Sequence, residues 1–177
     1  MLKSAFAGLS RVANALAITT NTLGTLVVLA LVVVLNVDVI ARGLFDAPLK
    51  GTYEMVQFSV VLIVFLQLPD VVRVDRLTRS DGVLSLIVPK LPGIAAFIRR
   101  IINAVSAILM GLIAYITFPE FLHMWETQDY FGVPGLFTLP WWPVKLVITV
   151  GTALSCLIFV IKVISAQDRP HLDEART

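Results

Sequence analysis

Cysteine occurs once in 177 residues, at Cys156, so the chain can close no internal disulfide and build no Cys-based metal cluster. Charge is also scarce: Asp, Glu, Lys and Arg make up 15% of the residues, where a soluble domain carries about 25%. The 14 basic and 12 acidic residues leave a net charge of +2, too little to attract nucleic acid or another polyanion. The two histidines, His123 and His171, fall outside the long apolar runs, so no intramembrane pair exists to ligate a b-type haem. Gly-rich phosphate loops and nucleophile motifs are missing as well. Together these absences argue against a soluble enzyme, a nucleic-acid binder, a disulfide-stapled domain and a haem-bearing anchor, and they leave no catalytic residue, cofactor or metal site to expect.

What fills the chain instead is apolar. Hydrophobic residues make up 58% and the mean hydropathy is +0.89, the profile of an integral membrane protein. A helix needs about 20 mostly apolar residues to cross about 30 Å of hydrocarbon. The uncharged runs 12–37, 55–69, 101–119 and 146–161 meet or approach that length. Letting Glu54, Asp70 and Lys145 sit near the ends of their segments gives four spans, at about 15–37, 53–72, 99–118 and 140–163. The expected fold is an all-α membrane domain over 1–177 with no soluble part. The first segment is too long for the apolar region of a signal peptide and runs into Asn36-Val37-Asp38-Val39, which offers no cleavage site, so it reads as a retained anchor.

Lys and Arg favour the cytoplasmic side of the bilayer. The N-terminal tail, the central segment with the Arg99-Arg100 pair that follows it, and the C-terminal tail hold eleven of them between them, against two in the first loop, Arg42 and Lys50. Both termini are therefore expected in the cytoplasm. The third loop is acidic, with Glu120, Glu126 and Asp129. Trp125, Tyr130, Phe131, Phe137, Trp141 and Trp142 gather around it, at the depth where aromatic belts form. In the central segment, Val83, Leu84, Leu86, Ile87 and Leu91 form an apolar stripe beside several charges. That composition suits an amphipathic helix lying in the interface, and equally a solvated loop; both stay open.

Few residues stand out as functional. Ionisable groups deep in a membrane mark transport pathways because they are costly to bury, and spans one and three have none near their middles. Asp38 and Arg42, four apart, can pair on a continuing helix. Pro48 and Gly51 turn the chain, and Glu54 then sits in the first turn of span two, where the helix dipole favours a carboxylate. Lys145 can extend its stem toward the headgroups. Ala107 with Gly111, and Gly151 with Ser155, repeat small residues four apart, a spacing that lets helices approach closely. Pro69, Pro119 and Pro140 sit at span ends, so no broken helix is expected at mid-membrane. A scaffold or accessory subunit fits better than a self-contained exporter, a redox anchor or a membrane enzyme.

The order of motifs from Asn36 to Asp75 adds more. Asn36 and Arg42 at the end of span one are followed by Phe45, Pro48 and Gly51, then Glu54 opens span two, and Arg73-Val74-Asp75-Arg76-Leu77 closes it. Leu91-Pro92 precedes span three and Pro140-Trp141 opens span four. This pattern resembles the small membrane subunit, DctQ-like, of tripartite ATP-independent periplasmic (TRAP) transporters. The stretch 69–73 departs from it, lacking a His that the family often carries before the Val-Asp segment. The resemblance implies a chain that packs on the static part of a large multispan subunit, with a share in receiving the periplasmic solute-binding protein compatible with that position. The large subunit of such systems moves the solute, an organic acid or similar compound, with coupling ions that are usually sodium. It points to Arg42, Gly51 and Glu54 near the outer face, Arg73 and Asp75 at the inner one, and the small residues Ala107, Gly111, Gly151 and Ser155 as partner-interface positions. The bland alternative is an accessory or anchor subunit of some other membrane complex.

Overall fold

The computed structural model describes residues 2–47, 49–75, 92–133 and 137–165. Four helices account for most of them: α1 (Leu2–Phe45), α2 (Thr52–Arg73), α3 (Pro92–Thr127) and α4 (Trp142–Ser165). All four are long and apolar enough to cross a membrane. Between α3 and α4 lies an antiparallel hairpin of β1 (Tyr130–Val133) and β2 (Phe137–Pro140), with Tyr130 opposite Pro140 and Val133 opposite Phe137. The first three expected spans fall inside the observed helices and the fourth starts two residues early, since Pro140 ends β2 and α4 begins at Trp142, but two helices run far past their spans. At 1.5 Å per residue the 44 residues of α1 reach about 66 Å and the 36 of α3 about 54 Å, well beyond about 30 Å of hydrocarbon. Between Leu2 and Phe45 no proline interrupts the helix, and the Asp38–Arg42 pair supports its last turns. Hydropathy registers where such a helix leaves the bilayer, not where it stops.

The stops have their own causes. Asp46, Asp75 and Gln128 each take the left-handed conformation just past a helix end, with φ of 50°, 58° and 53°. Gly51 precedes α2 with φ 85°, a backbone state that a Cβ makes costly. Pro69 and Pro119, expected at span ends, lie within α2 and α3, and both helices continue through them. A proline lacks the N–H that would bond the carbonyl four residues back, so Phe65 and Tyr115 lose their usual donors. Membrane helices accommodate this where neighbours re-satisfy the backbone.

The helices pack in the order α1, α2, α4, α3, with a smaller contact between α1 and α4. α4 is the central helix: a third of its most apolar stretch is buried, against 6% for α3. Close approach explains the small residues. A Cβ on Gly151 would overlap the Phe65 carbonyl oxygen of α2, and one on Gly24 of α1 would lie 2.8 Å from Cγ of Gln67. Gly111 of α3 faces the Cys156 sulfur, whose S–H donates to the Ala107 carbonyl at 3.2 Å. The core comprises Ala13, Ala17, Val72, Ala107, Leu154, Ile158 and Phe159. Most of it lies toward the end that carries the helix termini of α2 and α4, opposite the hairpin.

Candidate functional site

Three polar clasps sit at the ends of this helix layer. The first closes the α1–α2 turn. Asp38 is 6% exposed. Its Oδ2 accepts from Arg42 Nη2 at 3.0 Å, and its Oδ1 accepts the Leu49 N–H at 2.9 Å. The Thr52 hydroxyl lies 3.2 Å from the same Oδ1 and 3.1 Å from the Leu49 carbonyl, with one proton to give. The carboxylate thus ties the last turns of α1 to the first residue of α2. Arg42, with a side chain 64% exposed, reaches outward from this clasp, and Glu54 forms no ion pair with it. Glu54 is half-buried in the first turn of α2 and bonds to none of the described side chains.

The second clasp lies at the opposite end. Asp70 accepts from Asn21 of α1 at 3.0 Å and from Arg73 Nε at 2.7 Å. Beside it the Lys162 ammonium of α4 donates to the Val72 carbonyl at 2.6 Å and pairs with Asp75 at 2.7 Å. Arg73 and Asp75 therefore serve different partners, one within α2 and one on α4. The third clasp is on the hairpin side, where Lys145 of α4 pairs with Glu120 of α3. Above it, the Trp125 and Trp142 rings meet edge to face at 4.9 Å, and Phe131 meets Trp141 at the same distance. The Trp141 N–H donates to the Asp129 carbonyl at 3.0 Å and closes the base of the hairpin.

Of the positions singled out in the sequence, Ala107, Gly111, Gly151 and Ser155 lie in contacts between helices of this chain. Ser155 is fully buried and its hydroxyl donates to the Gly151 carbonyl at 2.8 Å. Gly51 shapes the turn, and Arg42 and Glu54 stand at its surface. The apolar stripe at 83–91 lies outside the described residues. Sequence reasoning missed the hairpin, although aromatic and β-branched residues on either side of Val133-Pro134-Gly135 carry its signal. It also missed the bonds from Lys162 and Asn21, which depend on which helices are neighbours. Among the described residues no group of three or more His, Cys, Asp or Glu is placed to hold a metal ion.

The arrangement does structural work: charged groups hold helix ends together, and the middles of the spans are apolar or small. It defines a polytopic membrane protein whose polar chemistry fixes a shape. The profile of a family described as tripartite ATP-independent periplasmic transporters, DctQ component, matches residues 31–169. The chain belongs to this family of TRAP transporter small membrane subunits. No curated protein and no solved structure matches it.

Proposed function

We propose that the chain is the small accessory permease subunit of a TRAP transporter, packing on a large multispan membrane subunit that performs the transport. The complex would take up an organic acid or similar solute, handed over by a periplasmic binding protein and driven by an ion gradient, with sodium as the coupling ion. The observation that carries this reading is the family match across most of the chain. The apolar faces that α1 and α3 leave uncovered by this chain, such as Leu26, Leu29 and Val33, and Ile108 and Leu112, suit lipid as well as a partner, so the structural support comes from polar groups turned outward. The exposed stripe of α2 (Tyr53, Gln57, Val60 and Val64) includes an amide about 8 Å along the helix that bonds to none of the described residues. With Arg42 and Glu54 at its edge, this stripe is the docking face we favour at the hairpin end. The Lys and Arg distribution supports a bacterial inner-membrane orientation with both termini in the cytoplasm, and with Arg73 and Asp75 on that side.

Co-expression of the tagged chain with its neighbouring open reading frames tests the reading. A larger hydrophobic subunit should stay bound in mild detergent at roughly one-to-one stoichiometry. A chain that purifies as a homodimer and catalyses transport alone in liposomes refutes it.

A further inference from the structure

The bonds between helices are unevenly spread along the layer. At the hairpin end each clasp stays within one helix pair. Asp38 joins α1 to Thr52 of α2, and the Lys145–Glu120 pair with the Trp125–Trp142 contact joins α4 to α3. Among the described residues, no side-chain bond crosses between the two pairs at that end. At the opposite end Lys162 of α4 does cross, holding the Val72 carbonyl and Asp75. Burial follows the same gradient. Ala13, Ala17, Val72, Ile158 and Phe159 lie toward the Lys162 end, and α2 has no buried residue before Pro69. Toward the hairpin the buried side chains sit on the other helices, at Asp38, Thr117 and Val144.

Between the two ends α2 has a weak turn. Pro69 has no N–H to offer the Phe65 carbonyl, and that oxygen abuts Gly151 of α4, where a Cβ would overlap it. On α1 the same level is marked by Gly24, which lies against Leu66 and Gln67 of α2. Proline turns are where helices bend, and glycine resists a change of backbone angles least. We propose that α1 and α2 are hinged at this level, at Gly24 and at the Phe65–Pro69 turn. Their hairpin-end halves, tied together by Asp38, swing as one unit against the α3–α4 pair, while Lys162 and the core keep the opposite end closed. Fifteen residues separate Gly24 from Val39, beside the clasp, or about 22 Å of helix. A bend of about 10°, gentler than a sharp proline kink, then moves the clasp by about 4 Å. The face bearing Arg42, Glu54 and Gln57 shifts with it. This is a motion within the chain, and it goes beyond the accessory-subunit reading without depending on it.

The test measures distances between spin labels by double electron–electron resonance, in the full-length chain in lipid nanodiscs, with Cys156→Ser removing the native thiol. One label pair, on Val39→Cys and Leu122→Cys, spans the two helix pairs beside the hairpin-end clasps. A second, on Val12→Cys and Ile101→Cys, spans them at the opposite end; all four native side chains are exposed. The first distance should be spread about 4 Å more widely than the second, the amplitude of a 10° bend. Pro69→Ala, which returns an N–H to the turn, should narrow the first spread and leave the second unchanged. Equal widths at the two ends overturn the hinge, and so does a hairpin-end spread that Pro69→Ala fails to narrow. Should that variant not fold, the two wild-type widths decide alone. Loss of the large subunit on co-purification would sink the accessory-subunit reading and leave these widths untouched.

Discussion

Replacing Gly151 by alanine adds one methyl group where α4 meets α2, and the obstacle is backbone. The new Cβ would overlap the Phe65 carbonyl oxygen, which cannot rotate aside as a side chain can. The two helices would have to move apart, loosening Val72 against Ile158 and Phe159 in the core. Overpacking of this kind costs about 1–3 kcal/mol, and a 2 kcal/mol loss lowers the folded-to-unfolded ratio roughly 30-fold. Alanine ordinarily gains about 0.5–1 kcal/mol over glycine in a helix, but unfolded membrane helices keep their helical backbone, so that gain shrinks toward zero here. The other helical glycines provide graded controls. Gly43 has open space around its Cβ position, so Gly43→Ala should be neutral. Gly111→Ala meets the Cys156 sulfur at 3.3 Å and should cost little, whereas Gly24→Ala meets Cγ of Gln67 at 2.8 Å and Cβ of Leu66 at 3.2 Å and should fall between it and Gly151→Ala. Reversible unfolding in mixed micelles titrated with SDS, followed by tryptophan fluorescence, ranks the four. If Gly151→Ala unfolds with Gly43→Ala, the backbone contact between α2 and α4 is not there and the packing order is wrong.

Three further outcomes follow from the clasps. Lys162→Met leaves Asp75 and the Val72 carbonyl without their donor, so trypsin should cut at Arg73 faster than in the wild type, while Lys162→Arg should stay protected. Reversing either member of the Lys145–Glu120 pair should lower the melting temperature in detergent, and the double swap Glu120→Lys with Lys145→Glu should recover most of the loss. If the singles melt like the wild type, the pair contributes nothing, as is common for partly exposed ion pairs. Gly51→Ala must hold a φ of 85° with a Cβ and should cost about 1–2 kcal/mol. Gly51→Asn, which tolerates that region better, should cost less in the same unfolding titration.

Legibility in the sequence followed the range of each interaction. The four crossings were readable because transfer into hydrocarbon depends on local composition, and the Asp38–Arg42 pair because residues four apart share a helix face. Helix ends were not readable: α3 continues through Pro119 to Thr127 although its apolar run stops, because a helix outside the bilayer needs no hydropathy. The aromatic residues around 130–142 read as a belt, which hid the alternation of a short hairpin. Asp70 looked like a span boundary. Its bond to Asn21 joins residues 49 apart and requires knowing that α1 and α2 run antiparallel at that register. The candidate docking residues Arg42 and Glu54 were visible as charges near a turn. That Arg42 is held by a buried Asp38, while Glu54 pairs with none of the described residues, was not.

Exposed apolar surface alone does not call for a partner in a membrane protein, since lipid tails solvate leucine as well as another helix does. Polar groups that the helices turn outward within the spans are a different case. The side chains of Gln57 on α2 and Tyr115 on α3 bond to none of the described residues, whereas Thr19, Thr22, Thr25 and Asn36 on the outer side of α1 each donate to a carbonyl of their own helix at 2.7–3.0 Å. A helix that faces only lipid can satisfy itself as those four do. The groups on α2 and α3 do not, and hydrocarbon offers them nothing. The difference separates the faces: α1 is suited to lipid along much of its length, and α2 and α3 carry the outward polar side chains on which the proposed docking rests.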